Sequence, residues 1–418
     1  MIKRCLAIFL ATVGVVLLFW LVLPGGWSEW DAADYQSFYK PVAYNLLLGK
    51  GLITNDGNPA VRYPPGFPLI LTALFCLSQW TGTPERWWLQ GFTLFAMGLT
   101  CVLLYGLSLM TMGKRIALIT ALLWMAYPFN LWLTKQPNSE IAFLPLFYSA
   151  LFFFGRALWQ GRAKPWDSLT AGILVGCASL VRPIAILIGA LLTGLLIVLR
   201  WKNGWKHCAL LGMLLLIGNI AVVMPWEIWA WSQTGKWIPL STGGPIGIRD
   251  GLTCFLVTKG FRRALPVTPD ERKVIEEAVR RWKAGQLETT GQILDMLQQQ
   301  VKQNPLGVVR LLARKAGRAW YGTDAQRTEE RWVLLIQMVF LAMAVAGSGF
   351  LWRQGKTERE WVLMVVVLVF YFWIMTILVL SILRYMVPVM GVLFPSIASA
   401  LDHVMNKFNR MLTRQPKE

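Results

Sequence analysis

Apolar runs of near-spanning length recur along this 418-residue chain from residue 5 to residue 401, and that recurrence restricts it to one class of fold. In lipid every backbone N–H and C=O must be paired internally, so only helices and closed barrels cross. Long continuous apolar runs, rather than short alternating ones, select helices. The sequence therefore predicts an all-α polytopic membrane protein with spans near 5–23, 88–111, 116–133, 141–158, 168–181, 183–200, 208–230, 332–352, 360–380 and 385–401. The first follows Met-Ile-Lys-Arg, and no small-residue cleavage site succeeds it. It is read as an uncleaved transmembrane helix.

One further run, Phe67–Trp80, decides the topology. As a helix it reaches only about 21 Å at 1.5 Å per residue, against a hydrocarbon core of about 30 Å. If it does not cross, seventeen basic residues gather in short inner segments, among them Lys114, Arg115, Arg156, Arg200, Arg353 and Arg359. Only seven then fall in short outer ones: Lys40, Lys50, Arg62, Arg86, Lys135, Arg182 and Arg384. If it crosses, every later loop inverts and the positive-inside rule fails. The expectation is ten spans, both termini inside, and Phe67–Trp80 as a juxtamembrane helix on the outer face. The formal charge of +19 then belongs to helix ends at anionic lipid, and nucleic acid is excluded as a partner because no recognition motif accompanies it.

Three regions follow: 1–230, a transmembrane module whose first outer loop is 24–87; 231–331, an extracytoplasmic region; and 332–418, the last helices and tail. In the second, Thr268-Pro-Asp-Glu starts a helix, and another runs Pro305–Trp320. Leu306, Val309, Leu312, Ala313 and Ala316 form an apolar stripe there. Arg310, Arg314 and Arg318 recur on another face, as a solvated surface touching headgroups or as a cationic wall near an anionic ligand.

The first outer loop carries Asp31, Asp34, Tyr35, Arg62 and Tyr63. Carboxylates at a membrane surface cost solvation energy and point to chemistry. On a helix, positions 31, 34, 35 and 38 share a face, and Pro41 kinks or ends it. The same side receives Lys135, Asn138 and Glu140, then Arg182, a glycine-rich stretch at 241–251, and finally Arg384 with Tyr385. Arg182 and Arg384 either pair with Glu140 or Asp34, or serve a ligand. A carboxylate removes a proton from a hydroxyl, and arginines hold and stabilise a departing phosphate. Tyrosines and the Asn138/Glu140 pair suit sugar hydroxyls. No nucleotide-binding loop is present. Two histidines and six cysteines without ligand spacing support no metal site. No cofactor is certain; a divalent metal stays open without support from the sequence, and a Cys76–Cys254 bridge has no support from the pattern.

These residues fall in a recognisable order: Asp31 and Tyr35; Leu46–Leu52 as L-L-x-G-x-G-L; Pro64–Pro68 as P-P-G-F-P; Asn138-Ser139-Glu140; Leu180-Val181-Arg182-Pro183; Met224-Pro225-Trp226; Gly243/Gly244; and Arg384-Tyr385 with Pro388. The order resembles the GT-C glycosyltransferases, in particular bacterial relatives of protein O-mannosyltransferases and lipid A aminoarabinose transferases. The resemblance implies a GT-C fold and inverting transfer of a sugar from a polyprenyl-phosphate carrier to a hydroxyl of an envelope acceptor, on the outer face of the inner membrane. It implies Asp31, with Asp34, as the catalytic carboxylate, and Arg62 and Tyr63 at the donor phosphate or acceptor. Arg182 and Arg384 join Arg62 as expected phosphate ligands. Tyr35, Tyr63, Lys135, Asn138, Glu140 and Tyr385 are the expected substrate contacts. The pattern departs at Ala32, where the family commonly has an acid, and at Glu227-Ile228, where it often has Arg-Asn. The competing readings are a flippase for lipid-linked sugars, which calls for broken helices and inverted repeats, and a glycan polymerase or ligase.

Overall fold

The computed structural model describes residues 2–23, 26–30, 32–159, 164–201, 204–256, 264–323 and 330–413. The chain is a helical membrane protein, and it divides into two compact units. The first unit comprises Met1–Ser241, Ala344–Met364 and Gly391–Glu418; the second comprises Thr242–Met343 and Val365–Met390.

In the first unit the order is α1 (Ile2–Val22), a π-helical turn Tyr35–Tyr39, α2 (Lys40–Leu47), α3 (Gly66–Thr81), α4 (Glu85–Ala126), α5 (Pro128–Leu133), α6 (Ser139–Trp159), α7 (Pro165–Val181), α8 (Ile188–Arg200) and α9 (Trp205–Thr234). Among the described residues, eight helices are long and apolar enough to cross a membrane. One is α4, which is two helices. Gly113 has φ 83° and ψ 178°, a conformation that glycine reaches without steric cost. The two legs fold back on each other, since the Cys101 thiol donates to the Ala121 carbonyl at 3.5 Å. Along a straight helix those residues would lie about 30 Å apart. The 17-residue α7 is shorter, but it packs lengthwise on α9, with Gly172 against Leu215 and Gly176 against Val222. The eight candidate spans are fewer than the ten that the charge pattern leads one to expect; α7 and the second leg of α4 are the shorter apolar segments that make up the difference.

Helix α3 does not run from one end of this unit to the other. At its start, a Cβ on Gly66 would sit 2.6 Å from the Leu180 carbonyl oxygen, at the end of α7. At its finish, Ser78 donates to Thr83 beside the start of α4. The start of α4 is tied in turn to the end of α1, because Arg86 donates to the Trp27 carbonyl at 3.4 Å. The end of α1 also meets the α5–α6 turn, where Trp20 donates to the Thr134 carbonyl at 3.0 Å. Both ends of α3 therefore meet the end of the bundle where α1 and α7 finish and α4 and α6 begin. The residues 67–80 lie across that end, as their length requires. Beneath, Phe75 stacks on Tyr44 at 5.0 Å and Thr72 donates to the Ala43 carbonyl, which fixes α2 to α3.

The opposite end of the unit is held by basic residues in ion pairs. Arg200 reaches Glu360 at 2.5 Å, Arg156 reaches Asp167 at 3.3 Å, and Arg115 reaches Asp402 at 2.6 Å.

The second unit holds α10 (Gly243–Thr253), α11 (Pro269–Lys283), α12 (Thr290–Gln303) and α13 (Pro305–Arg318). It shares α14 (Glu330–Gln354), α15 (Lys356–Leu378) and α16 (Val387–Thr413) with the first. Capping boxes start α11 (Thr268 with Glu271) and α12 (Thr289 with Gln292), each satisfying two otherwise orphaned backbone donors. Its core is Leu252, Phe255, Val274, Ile275, Ile293, Met296 and Leu311. All six cysteines carry free thiols.

Candidate active site

Asp31 lies outside the described residues. The site is therefore built from its described neighbours. The segment after Asp31 does not keep α-helical register. Residues 35–39 form a π turn, in which the Lys40 N–H bonds the Tyr35 carbonyl. Pro41 explains it. Proline lacks an N–H and clashes with the carbonyl four residues back, and one wide turn relieves both faults. Pro41 then sits at the start of α2 rather than ending a helix.

That extra residue redistributes the expected face. Asp34 accepts from the Tyr63 hydroxyl at 3.3 Å, whereas Tyr35, 1 % exposed, donates to Glu29 at 3.4 Å. Asp34 and Tyr35 thus serve different clusters. Around Tyr35, Lys40 bridges Glu29 (3.4 Å) and Glu85 (3.7 Å), and Tyr44 bonds Glu85. Burial, followed by the charges of Glu29 and Glu85, pushes the Tyr35 hydroxyl well above its ordinary range, so it remains a proton donor.

Around Asp34 polar and aromatic side chains cluster within the first unit. Tyr63 packs on Tyr39 at 5.1 Å and on Phe38 at 5.1 Å. Tyr39 neighbours Ser139 and Arg182. Ser139 accepts from Arg182 at 3.1 Å, and Arg182 pairs with Glu140 at 2.6 Å. Burial and the nearby Tyr63 push the Tyr39 hydroxyl up, against the opposing pull of Arg182. Arg62 is exposed beside this cluster, with its guanidinium 5.3 Å over the Tyr63 ring. The P-P-G-F-P run explains the placement. Only glycine fits at 66 against Leu180, so the run docks on the end of α7, next to Arg182.

Arg182 makes the expected pair with Glu140. Asn138 caps α6, accepting from the Ile141 N–H at 3.0 Å and donating to the Leu133 carbonyl at 2.6 Å. Lys135 lies 4.6 Å over the Trp132 ring. Tyr39 and Ser139 are members that sequence reasoning missed. Ser139 stood inside the Asn-Ser-Glu motif, but Tyr39 is legible only once the π turn is known.

A strained residue backs the cluster. Leu240 has φ 57°, a left-handed conformation rare for a branched side chain. Trp226 donates to its carbonyl at 2.8 Å, and Glu227 accepts from its N–H at 2.7 Å. The Leu240 side chain packs in one cluster with Val61 and Leu180, the neighbours of Arg62 and Arg182. The departure at Glu227 thus has a structural use.

The second unit carries Arg384, 5.5 Å over the Tyr385 ring, on a 3-10 turn Leu383–Tyr385. The glycine-rich stretch forms α10. The arginine row of α13 is no anion wall: Arg310 pairs with Asp270 (2.8 Å), Arg314 with Glu271 (2.8 Å) and Arg318 with Glu330 (2.6 Å). No group of three or more metal-ligating side chains occurs among the described residues.

Residues 62–229 match the family described as dolichyl-phosphate-mannose-protein mannosyltransferase. No curated protein matches the sequence. Among solved structures, the Archaeoglobus fulgidus oligosaccharyltransferase tethered to an acceptor peptide is 14 % identical, with a TM-score of 0.60 over 99 % of this chain and 51 % of that one. The same enzyme in complex with an inhibitory peptide and a dolichol-phosphate is 14 % identical, with a TM-score of 0.55 over 99 % and 52 %. ArnT from Cupriavidus metallidurans bound to undecaprenyl phosphate is 13 % identical, with a TM-score of 0.46 over 95 % and 77 %. The chain spans about half the length of the archaeal enzyme. Residues 62–229 are thus similar to that family, and the fold of the chain is similar to that of the archaeal enzyme.

Proposed function

We propose that this chain is a GT-C inner-membrane glycosyltransferase that moves a sugar from a polyprenyl-phosphate carrier to a hydroxyl of an envelope acceptor, with inversion, on the extracytoplasmic face. The observation that carries the reading is the cluster of Asp34, Tyr63, Tyr39, Ser139, Arg182 and Glu140. It gathers four separate segments at one end of the bundle, directly after Asp31. The mannosyltransferase family match spans most of its members, and a solved relative in fold binds a dolichol-phosphate.

In this reading Asp31 takes the acceptor hydroxyl proton as the oxygen attacks the sugar C1. The C1–O bond to the carrier breaks, and its electron pair leaves with the phosphate. Phosphate departs without a protonating acid, unlike the alcohol released in glycoside hydrolysis. Asp34 orients the acceptor through Tyr63. Arg62 is assigned to the departing phosphate. Arg182, committed to Glu140, sets the shape of the floor. The positive-inside count puts this end outside.

The test uses purified protein in lipid with a polyprenyl-monophosphate sugar. Asp31→Asn is expected to keep donor binding and lose at least about 10²-fold in transfer. Wild-type turnover by that variant removes Asp31 from the role, and movement of the lipid-linked sugar across the bilayer without bond transfer replaces the enzyme with a flippase. Transfer from a diphosphate-linked donor alone favours a polymerase or ligase. Mass spectrometry of envelope glycans with and without the protein identifies sugar and acceptor.

A further inference from the structure

Helix α13 has two apolar faces. One is buried, with Val308 and Leu311 in the core beside Lys315, 1 % exposed, and Arg318, 2 % exposed; on the other, Leu306, Val309 and Leu312 stand 50 %, 63 % and 42 % exposed. At about 100° per residue, these three with Ala313 and Ala316 fill one arc of roughly 120°. A helix between a core and water needs only one apolar face. The preceding α12 extends the surface with Leu294 and Val301, 59 % and 51 % exposed. The cations leave that arc free, because Arg310, Arg314 and Arg318 turn to Asp270, Glu271 and Glu330.

What covers the arc follows from where α13 ends. Trp373 of α15 donates its indole N–H to the Ala316 carbonyl at 2.8 Å, and its ring lies 6.1 Å from that of Trp320. Arg318 holds Glu330, the first residue of α14. Both α14 and α15 are long and apolar enough to cross a membrane. Trp373 stands only about 8 Å of helix from the end of α15 at Leu378. Helix α13 therefore joins the spans at the depth of the headgroup boundary, the level that tryptophans prefer. From there the exposed Trp332, Leu335 and Val339 of α14 continue the apolar surface down the span.

We propose that α13 lies along the bilayer surface, with Leu306, Val309 and Leu312 sunk into the boundary between headgroups and acyl chains, and that phospholipid is the occupant of this face. An amphipathic helix so placed buries its apolar side about 5–10 Å into the interface. It acts as a keel that keeps the α10–α13 region seated on the membrane. This holds whether or not the chain is a transferase.

The experiment labels Val309→Cys with a small fluorophore in the full-length protein, reconstituted in phosphatidylcholine nanodiscs with plain or brominated acyl chains. The wild-type protein, labelled identically at its exposed Cys76, sets the background. Val339→Cys marks a lipid-facing position and Glu276→Cys a water-facing one. The expected result is at least a twofold loss of Val309→Cys emission in brominated lipid, close to the loss at Val339→Cys, with Glu276→Cys unchanged. Quenching by aqueous iodide instead of bromolipid overturns the proposal, as does cross-linking of Val309→Cys between two copies. If that variant does not fold, Leu312→Cys is read by the same criteria.

Discussion

The Arg182–Glu140 pair allows the sharpest test of the site's architecture. Its side chains are 14 % and 3 % exposed and 2.6 Å apart, so Arg182→Ala leaves a desolvated carboxylate beside Ser139. Removing one partner of a buried pair costs about 3–5 kcal/mol. At roughly 2 °C per kcal/mol for a large domain, the midpoint of thermal unfolding in detergent falls by about 6–10 °C. Adding Glu140→Gln removes the stranded charge, and the double variant is expected to recover most of that loss, since a buried ion pair contributes little net stability over a neutral substitute. The assay is a double-mutant cycle, with unfolding followed by thiol-reactive fluorescence and transfer measured on each variant. A fall below about 2 °C for Arg182→Ala, or additivity of the two changes, refutes the reasoning. The transfer readout then separates two roles: a stable double variant with near-normal transfer makes Arg182 a positioning residue, and a stable but inactive one places it on the donor.

Other outcomes follow from the same geometry. Gly66→Ala puts a methyl 2.6 Å from the Leu180 carbonyl oxygen; overpacking against backbone is expected to cost about 3 kcal/mol, read as a lower unfolding midpoint. Tyr63→Phe removes the donor to Asp34 and is expected to reduce transfer while leaving the unfolding midpoint within about 1 kcal/mol of wild type. Burial pushes the Lys315 amine down to about 8. The unfolded chain then holds more protons than the native one above pH 8, so this contribution to stability rises with pH between about 8 and 10.5. Lys315→Met is expected to remove that rise and raise the midpoint at pH 7. Burial raises Glu271, but its bonds to Arg314 and Thr268 overcome this and hold it below its usual range. Its contribution is present at neutral pH and is lost as pH falls through the native value, a loss that Arg314→Ala abolishes in acid titration of the unfolding midpoint.

The sequence alone determined the fold class, a chain of many apolar helices, and that helices start at Thr268 and Pro305. These are local matters: apolar length and capping chemistry are set by neighbours in the chain. The tertiary structure decided the partners. It turned Tyr35 away from Asp34 through a π turn, gave Arg182 to Glu140 and Asn138 to a helix cap, clamped Leu240 between Trp226 and Glu227, and turned Lys315 inward while Val309 faces out. Periodicity places a side chain on a face but does not say what that face meets. A charge takes whichever counter-charge the packing of distant segments brings within about 4 Å, and that distance is a property of the assembled bundle.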